Sequence, residues 1–123
     1  MPLVARKAAE DSVDSPDGAE GDPCPDGQPK CDVASTQATA EGSDDVFIEK
    51  IGVVREKDKM IAHKYTPCGC PSHAPTLSTF SAYVYANGLR IGRVGDAYGG
   101  DHKISSGAPT VTDGSAQASA VPA

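Results

Sequence analysis

The chain has 123 residues, enough for one domain, and 23 of them are Gly or Pro while only six are aromatic and none is Trp, which excludes long helices and a large apolar core. The net charge of −6 disfavours a general nucleic-acid footprint, and no apolar run approaches the roughly 20 residues of a membrane span. A small, turn-rich domain with so little to bury calls for a staple such as a metal, a disulfide or a partner surface.

In chain order, the start Met1-Pro2-Leu3-Val4-Ala5-Arg6 lacks the long apolar segment of a signal peptide, so the chain is expected to be made in the cytoplasm. Leu3 to Arg6 reads as a short β run, and Asp11 follows it. Residues 12–38 then read as a long acidic connection, with the Ser/Asp/Gly/Pro-rich run Asp11 to Gly27 taken as a solvated loop. This half is the acidic one: residues 1 to 49 hold twelve acidic and three basic side chains, whereas residues 50 to 103 hold four acidic and eight basic. The basic residues of the second half are interleaved with apolar ones and read as a solvated face.

Val46-Phe47-Ile48 and Ile51-Gly52-Val53-Val54-Arg55 flank Glu49-Lys50 and form the first complete hairpin. Residues 59–76 connect it to a second, in which Tyr83-Val84-Tyr85-Ala86 and Leu89-Arg90-Ile91-Gly92-Arg93-Val94 flank Asn87-Gly88. Asn-Gly is the strongest short hairpin signal, because both central residues of a type I′ turn need positive φ. Glu49-Lys50 is a poorer choice for the same turn. A last connection, 97–103, leads to Ile104–Val111, and residues 115–123 read as a flexible tail after a single domain over 1–114.

The two hairpins are copies. Residues 42 to 58 match residues 80 to 96 at a constant offset of 38, with Ser43 on Ser81, Val46 on Val84, Phe47 on Tyr85, Val53 on Ile91, Arg55 on Arg93 and Asp58 on Asp96. A third copy is split between the ends. Ile104 to Val111 parallels Thr39 to Val46 and Leu77 to Val84, and Leu3-Val4-Ala5-Arg6 with Asp11 supplies the other half with two extra residues before the acid. The C-terminal run should therefore pair beside the N-terminal one. Three hairpins would close a three-sided object with no open sheet edge, and the three connections, which hold every His and Cys, would converge.

Ser43-x-x-Val46-Phe47, Asn87-Gly88-x-x-Ile91-x-Arg93-x-Gly95-Asp96 and Ile104-x-x-Gly107-x-x-x-Val111 together resemble PAAR-repeat proteins. Departures are Ala5-Arg6 without the usual Gly-Asp spacing, Glu56-Lys57-Asp58 in the next unit and Gly107-Ala108 in place of Gly-Ser. The resemblance implies a small all-β, conical fold whose broad base plugs a trimeric β-helical spike protein, one copy per trimer, in a contractile phage tail or a type VI secretion apparatus. It implies an apex sharpened by a metal, usually zinc, held by His and Cys. The expected role is then structural and mechanical, a membrane-piercing cap making transient contact with a target cell envelope. It would sit at the virion baseplate tip or be secreted by a type VI apparatus, with neither nucleic acid nor a small-molecule substrate as partner.

The densest chemistry is His63-x4-Cys68-x-Cys70-x-x-His73, with His102 in the next connection. Imidazole and thiolate are the ligands zinc takes in closed structural sites, and iron would accept several of the same groups. The expected ligands are His63, Cys70, His73 and His102, with Cys68 as the substitute for Cys70. The other readings of Cys68 and Cys70 are free thiols or a bridge to the first loop. Cys24 and Cys31, with six residues between them, fit a disulfide, a second metal half-site or free thiols, and a disulfide would form only after release from a reducing cytoplasm.

Two other classes fit less well. A zinc-stabilised protein- or nucleic-acid-binding module wants a second Cys/His pair and a basic surface. A small zinc hydrolase wants an open metal position beside a carboxylate, for which Asp101 next to His102 is the only hint. The chain is therefore read as not an enzyme.

Overall fold

In the computed structural model, which describes residues 2–114, the chain is all-β, with no helix among the described residues. Its first strands are β1 (Ser12–Ala19) and β2 (Val33–Ala38), followed by the short pairs β3 (Phe47–Ile48) with β4 (Ile51–Gly52) and β5 (His63–Lys64) with β6 (Ser72–His73). The pair β7 (Tyr85–Ala86) with β8 (Leu89–Arg90) precedes β9 (Ala97–Tyr98) and β10 (His102–Ile104). β1, β2, β9 and β10 form one antiparallel sheet in the order β2-β1-β10-β9, and the other pairs stand as two-stranded hairpins.

The duplicated hairpins adopt the same turn despite different residues. Asn87 and Gly88 have φ of 56° and 76°, and Glu49 and Lys50 are held at 52° and 71°. Glu49 and Lys50 take a conformation that disfavours non-glycine residues. Tertiary contacts offset that cost: the Glu49 carboxylate accepts from Arg6 Nη1 at 2.8 Å and from the Thr110 hydroxyl at 2.8 Å, tying this turn to the split unit.

The split third copy is present. Leu3 bridges Thr112, and Val4 N–H donates to Val111 O at 2.9 Å, as Val53 N–H does to Val46 O and Ile91 N–H to Val84 O, both at 3.1 Å. The three units then close on one another through a ring of backbone hydrogen bonds. Val54 N–H donates to Ala5 O (3.0 Å), Ala5 N–H to Gly92 O (3.0 Å) and Gly92 N–H to Val54 O (2.8 Å), so each unit is donor to one neighbour and acceptor from the other. Isolated bridges Arg6–Val53, Arg55–Ile91 and Val4–Arg93 repeat the same cyclic relation. Closure leaves none of these backbone groups unpaired.

Every unit carries the same ion pair at its exit. Arg6 with Asp11, Arg55 with Asp58 and Arg93 with Asp96 each place the arginine N–H and Nε on one carboxylate oxygen and Nη2 on the other. The hydrogen bonds to the aspartates raise all three arginine pKa values. The two extra residues of the first unit are absorbed by Ala8 and Ala9, both at positive φ, which leaves the Arg6–Asp11 geometry unchanged in kind.

Two apolar clusters fill the interior. Val4, Val53, Ala86 and Ile91 pack between the hairpins, and Ala5, Val13, Val54, Met60, Leu77, Tyr98 and Ile104 lie between the hydrogen-bonded ring and the large sheet. Close packing fixes Gly52, where a Cβ would collide with the Ser43 carbonyl oxygen. Burial raises the Tyr98 hydroxyl pKa.

The connection 12–38 corrects the sequence reading. Most of it is a β-arm, not a solvated loop: β1 pairs with β10 on one side and β2 on the other. β1 buries Val13, Ser15 and Asp17 in strict alternation. With one apolar residue among those three, the period of two is invisible to a hydrophobicity pattern. The expected tail, 115–123, lies outside the described residues.

Candidate metal centre

The long connections deliver four ligand-type side chains to one point. Asp17 comes from β1, His63 and His73 from the facing strands β5 and β6, and His102 from β10, with their ligand atoms all within 4.8 Å of one another. His63 and His73 are opposite partners in their ladder, so pairing alone sets them side by side. Asp17 is aimed by a β-bulge. The register of β1 against β2 jumps between Ser15 and Gly18, and Gly18 takes φ of 109°, leaving the two intervening residues, Pro16 and Asp17, without a partner on β2 while Asp17 stays on the buried face.

His63 sits at the centre. Its Nε2 lies 2.9 Å from His73 Nε2, 3.1 Å from His102 Nε2 and 3.0 Å from Asp17 Oδ1. Asp17 also approaches His102 Nε2 at 3.4 Å and His73 Nε2 at 3.7 Å. Tetrahedral coordination with metal–ligand bonds of 2.0–2.1 Å implies ligand–ligand separations of about 3.3 Å, and these distances bracket that value.

The outer contacts decide what the inner nitrogens present. His63 Nδ1–H donates to the Ile61 carbonyl at 3.1 Å, and His102 Nδ1–H donates to Asp101 Oδ1 at 2.6 Å. In the neutral rings this leaves both Nε2 atoms as bare lone pairs. Two lone pairs 3.1 Å apart, facing a carboxylate oxygen, repel unless positive charge lies between them. A divalent ion satisfies all of them at once. Tyr65 stacks on His73 at 4.1 Å between centroids and fixes that ring's plane.

Electrostatics agree with a cation-receiving site. Burial opposes ionisation of Asp17, but the Ser15 hydroxyl, which donates to it, and the adjacent His63 and His102 outweigh it and hold the carboxyl below its ordinary range. Burial and the neighbouring His63 push the His73 pKa down, keeping it neutral as a ligand. Both depressed values carry the same sign for the metal-free protein. Below the ordinary histidine value of 6.5 the unfolded chain binds a proton that folded His73 refuses, and below 3.8 the same holds for Asp17. Calorimetry of the chelator-treated chain should therefore find the melting temperature falling as pH drops below 6.5 and again as it drops below 3.8.

Of the expected ligands the structure brings together His63, His73 and His102 and excludes both cysteines. Cys70 is bonded to Cys31 and Cys68 to Cys24, so neither thiol is free to ligate. The Cys24–Cys31 pairing is corrected with them. Cys24 N–H bonds Gln28 O at 2.9 Å in a turn of the first loop, Cys24 and Cys31 each meet a cysteine of the second, and Gly69 N–H bonds Pro29 O at 2.8 Å between the two loops. The bridges enclose sequence separations of 44 and 39, each worth about 4 kcal/mol on a chain-entropy argument.

Asp17 was missed because the sequence shows it as one acid among many in a polar stretch. The available signal was Ser15-Pro16-Asp17-Gly18, a breaker sequence inside a strand, which marks a bulge. No helix of the described residues is long and apolar enough to cross a membrane. The chain matches no protein-family model and no curated protein.

Proposed function

We propose that the protein is the tip of a contractile injection machine, a PAAR-like cap on a trimeric β-helical spike, with a zinc ion held by Asp17, His63, His73 and His102. The observation that carries this reading is the closed ring through Ala5, Val54 and Gly92, which gives a single chain approximate threefold symmetry and hence a face that can match three identical subunits. Three imidazoles and a carboxylate suit zinc, with iron as the other metal of compatible ligand preference. The role is mechanical: the ring, the three part-buried ion pairs, the two disulfides and the ion each resist deformation under load. Four protein ligands complete a tetrahedral shell and leave no position for a reacting water, so the site is read as structural, not catalytic.

The docking face is argued from exposure. Phe47 and Tyr85, equivalent residues of the two hairpins, are 56% and 52% exposed, and Tyr83 is 77% exposed, an apolar surface at the hairpin end that a partner would cover. Isolation from the native source followed by native mass spectrometry should return one copy of this chain per three copies of a β-helical spike chain. The pair Phe47→Glu and Tyr85→Glu should reduce recovery of that complex at least tenfold while leaving the melting temperature unchanged. Undiminished recovery would remove this face from the interface, and an isolated monomer from every native preparation would end the reading.

A further inference from the structure

The two disulfides and the metal cluster fasten the same pair of loops. Asp17, Cys24 and Cys31 belong to the first connection, and His63, Cys68, Cys70 and His73 to the second, so three of the four ligands lie on segments that the bridges join. We propose that the disulfide pair gates the metal site, with the oxidised chain binding the ion tightly and the reduced chain binding it weakly. This rests on reading the cluster as a metal site.

Cys70 lies three residues before His73, Cys68 five after His63, and Cys24 seven after Asp17, short tethers through which the bridges set the approach of the two loops. The stretch between β1 and β2 contains no strand, and its backbone contact with the second loop is the Gly69–Pro29 bond. Asp17 lies 3.0 Å from His63 and 3.7 Å from His73, and without the bridges the two loops that carry them are joined by no covalent cross-link, leaving strand pairing to keep these groups together. Removing such a tether lowers the effective concentration of one ligand group at the other, an effect worth about a hundredfold in affinity.

The bridges differ in access. Cys68 is exposed, whereas Cys31 and Cys70 are 1% and 7% exposed, so a thiol attacks Cys24–Cys68 first. Opening each bridge takes two electrons and two protons from two thiol molecules such as glutathione, which leave joined as their own disulfide. Binding linkage makes the effect mutual: the ion must protect the bridges from reduction by the factor the bridges add to its affinity.

The test measures zinc affinity by competition with a chromophoric chelator on three full-length samples: the oxidised chain, the chain reduced by glutathione and capped with iodoacetamide, and C24S/C68S. Zinc should bind the capped chain about a hundredfold and C24S/C68S about tenfold more weakly than the oxidised chain. Zinc should also slow thiol release by glutathione in the uncapped protein. Equal affinity in oxidised and capped chains of unchanged circular dichroism would overturn the gate while leaving the metal site standing; if the capped chain unfolds, equal affinity in C24S/C68S does the same. Tighter cobalt binding on reduction, with thiolate charge-transfer absorption, would also overturn it. An oxidised chain that binds no zinc would remove the site and the gate together.

Discussion

Zinc at about a thousand times its dissociation constant should raise the melting temperature by roughly 15 °C over the chelator-treated chain, since such saturation stabilises by about 4 kcal/mol and each kcal/mol moves a domain of this size by about 4 °C. His63→Ala should abolish the shift. His63 Nε2 is the atom that contacts each of the other three ligand groups, between 2.9 and 3.1 Å, so its loss leaves a cluster with no shared centre. Comparing the shift within each protein, not the absolute melting temperatures, separates metal binding from the packing lost with a buried ring. Scanning calorimetry of both proteins with zinc and with chelator decides it, and an undiminished shift in His63→Ala would place the ion elsewhere.

Arg6→Met should destabilise the fold by about 3 kcal/mol, the cost of leaving a buried charge without its partner. The stranded group is Asp11, whose side chain is fully buried and whose oxygens accept from Arg6 N–H, Nε and Nη2 and from the Ser106 hydroxyl. Arg55→Met and Arg93→Met strand Asp58 and Asp96 in the same way and should cost comparable amounts in urea titrations. If Arg6→Met costs under about 1 kcal/mol while the other two cost about 3, the split unit is a loose appendage and not an equal member of the ring.

The repeat was legible because the hairpins reuse side chains at fixed offsets. Val53 and Ile91 pack in one cluster, and Arg55 and Arg93 grip acids three residues on, so identity of role preserved identity of type. Even the split copy could be read from Leu3 to Asp11 and Ile104 to Val111, and the three histidines followed from the convergence it implied. The arm over β1 and β2 was not legible, because its buried face is Val13, Ser15 and Asp17 and its stability comes from pairing with β10, about ninety residues away in sequence. A bridge from Cys68 and Cys70 to the first loop was among the readings the sequence allowed, but nothing in the sequence selected it over a metal or a Cys24–Cys31 bond. Spacing along the chain constrains Cys24 and Cys31 to one another, but the pairing that occurs depends on how two loops meet in space.

The bridge between Leu3 and Thr112 places residues from near the two ends of the chain side by side in the third unit. Besides the two residues it adds between Arg6 and Asp11, that unit differs from the other two in drawing its paired segments from distant parts of the sequence. A circular permutant that joins residue 114 to residue 2 and opens the backbone between Asn87 and Gly88 would keep every strand contact described above, merely transferring the break from one ribbon to its neighbour.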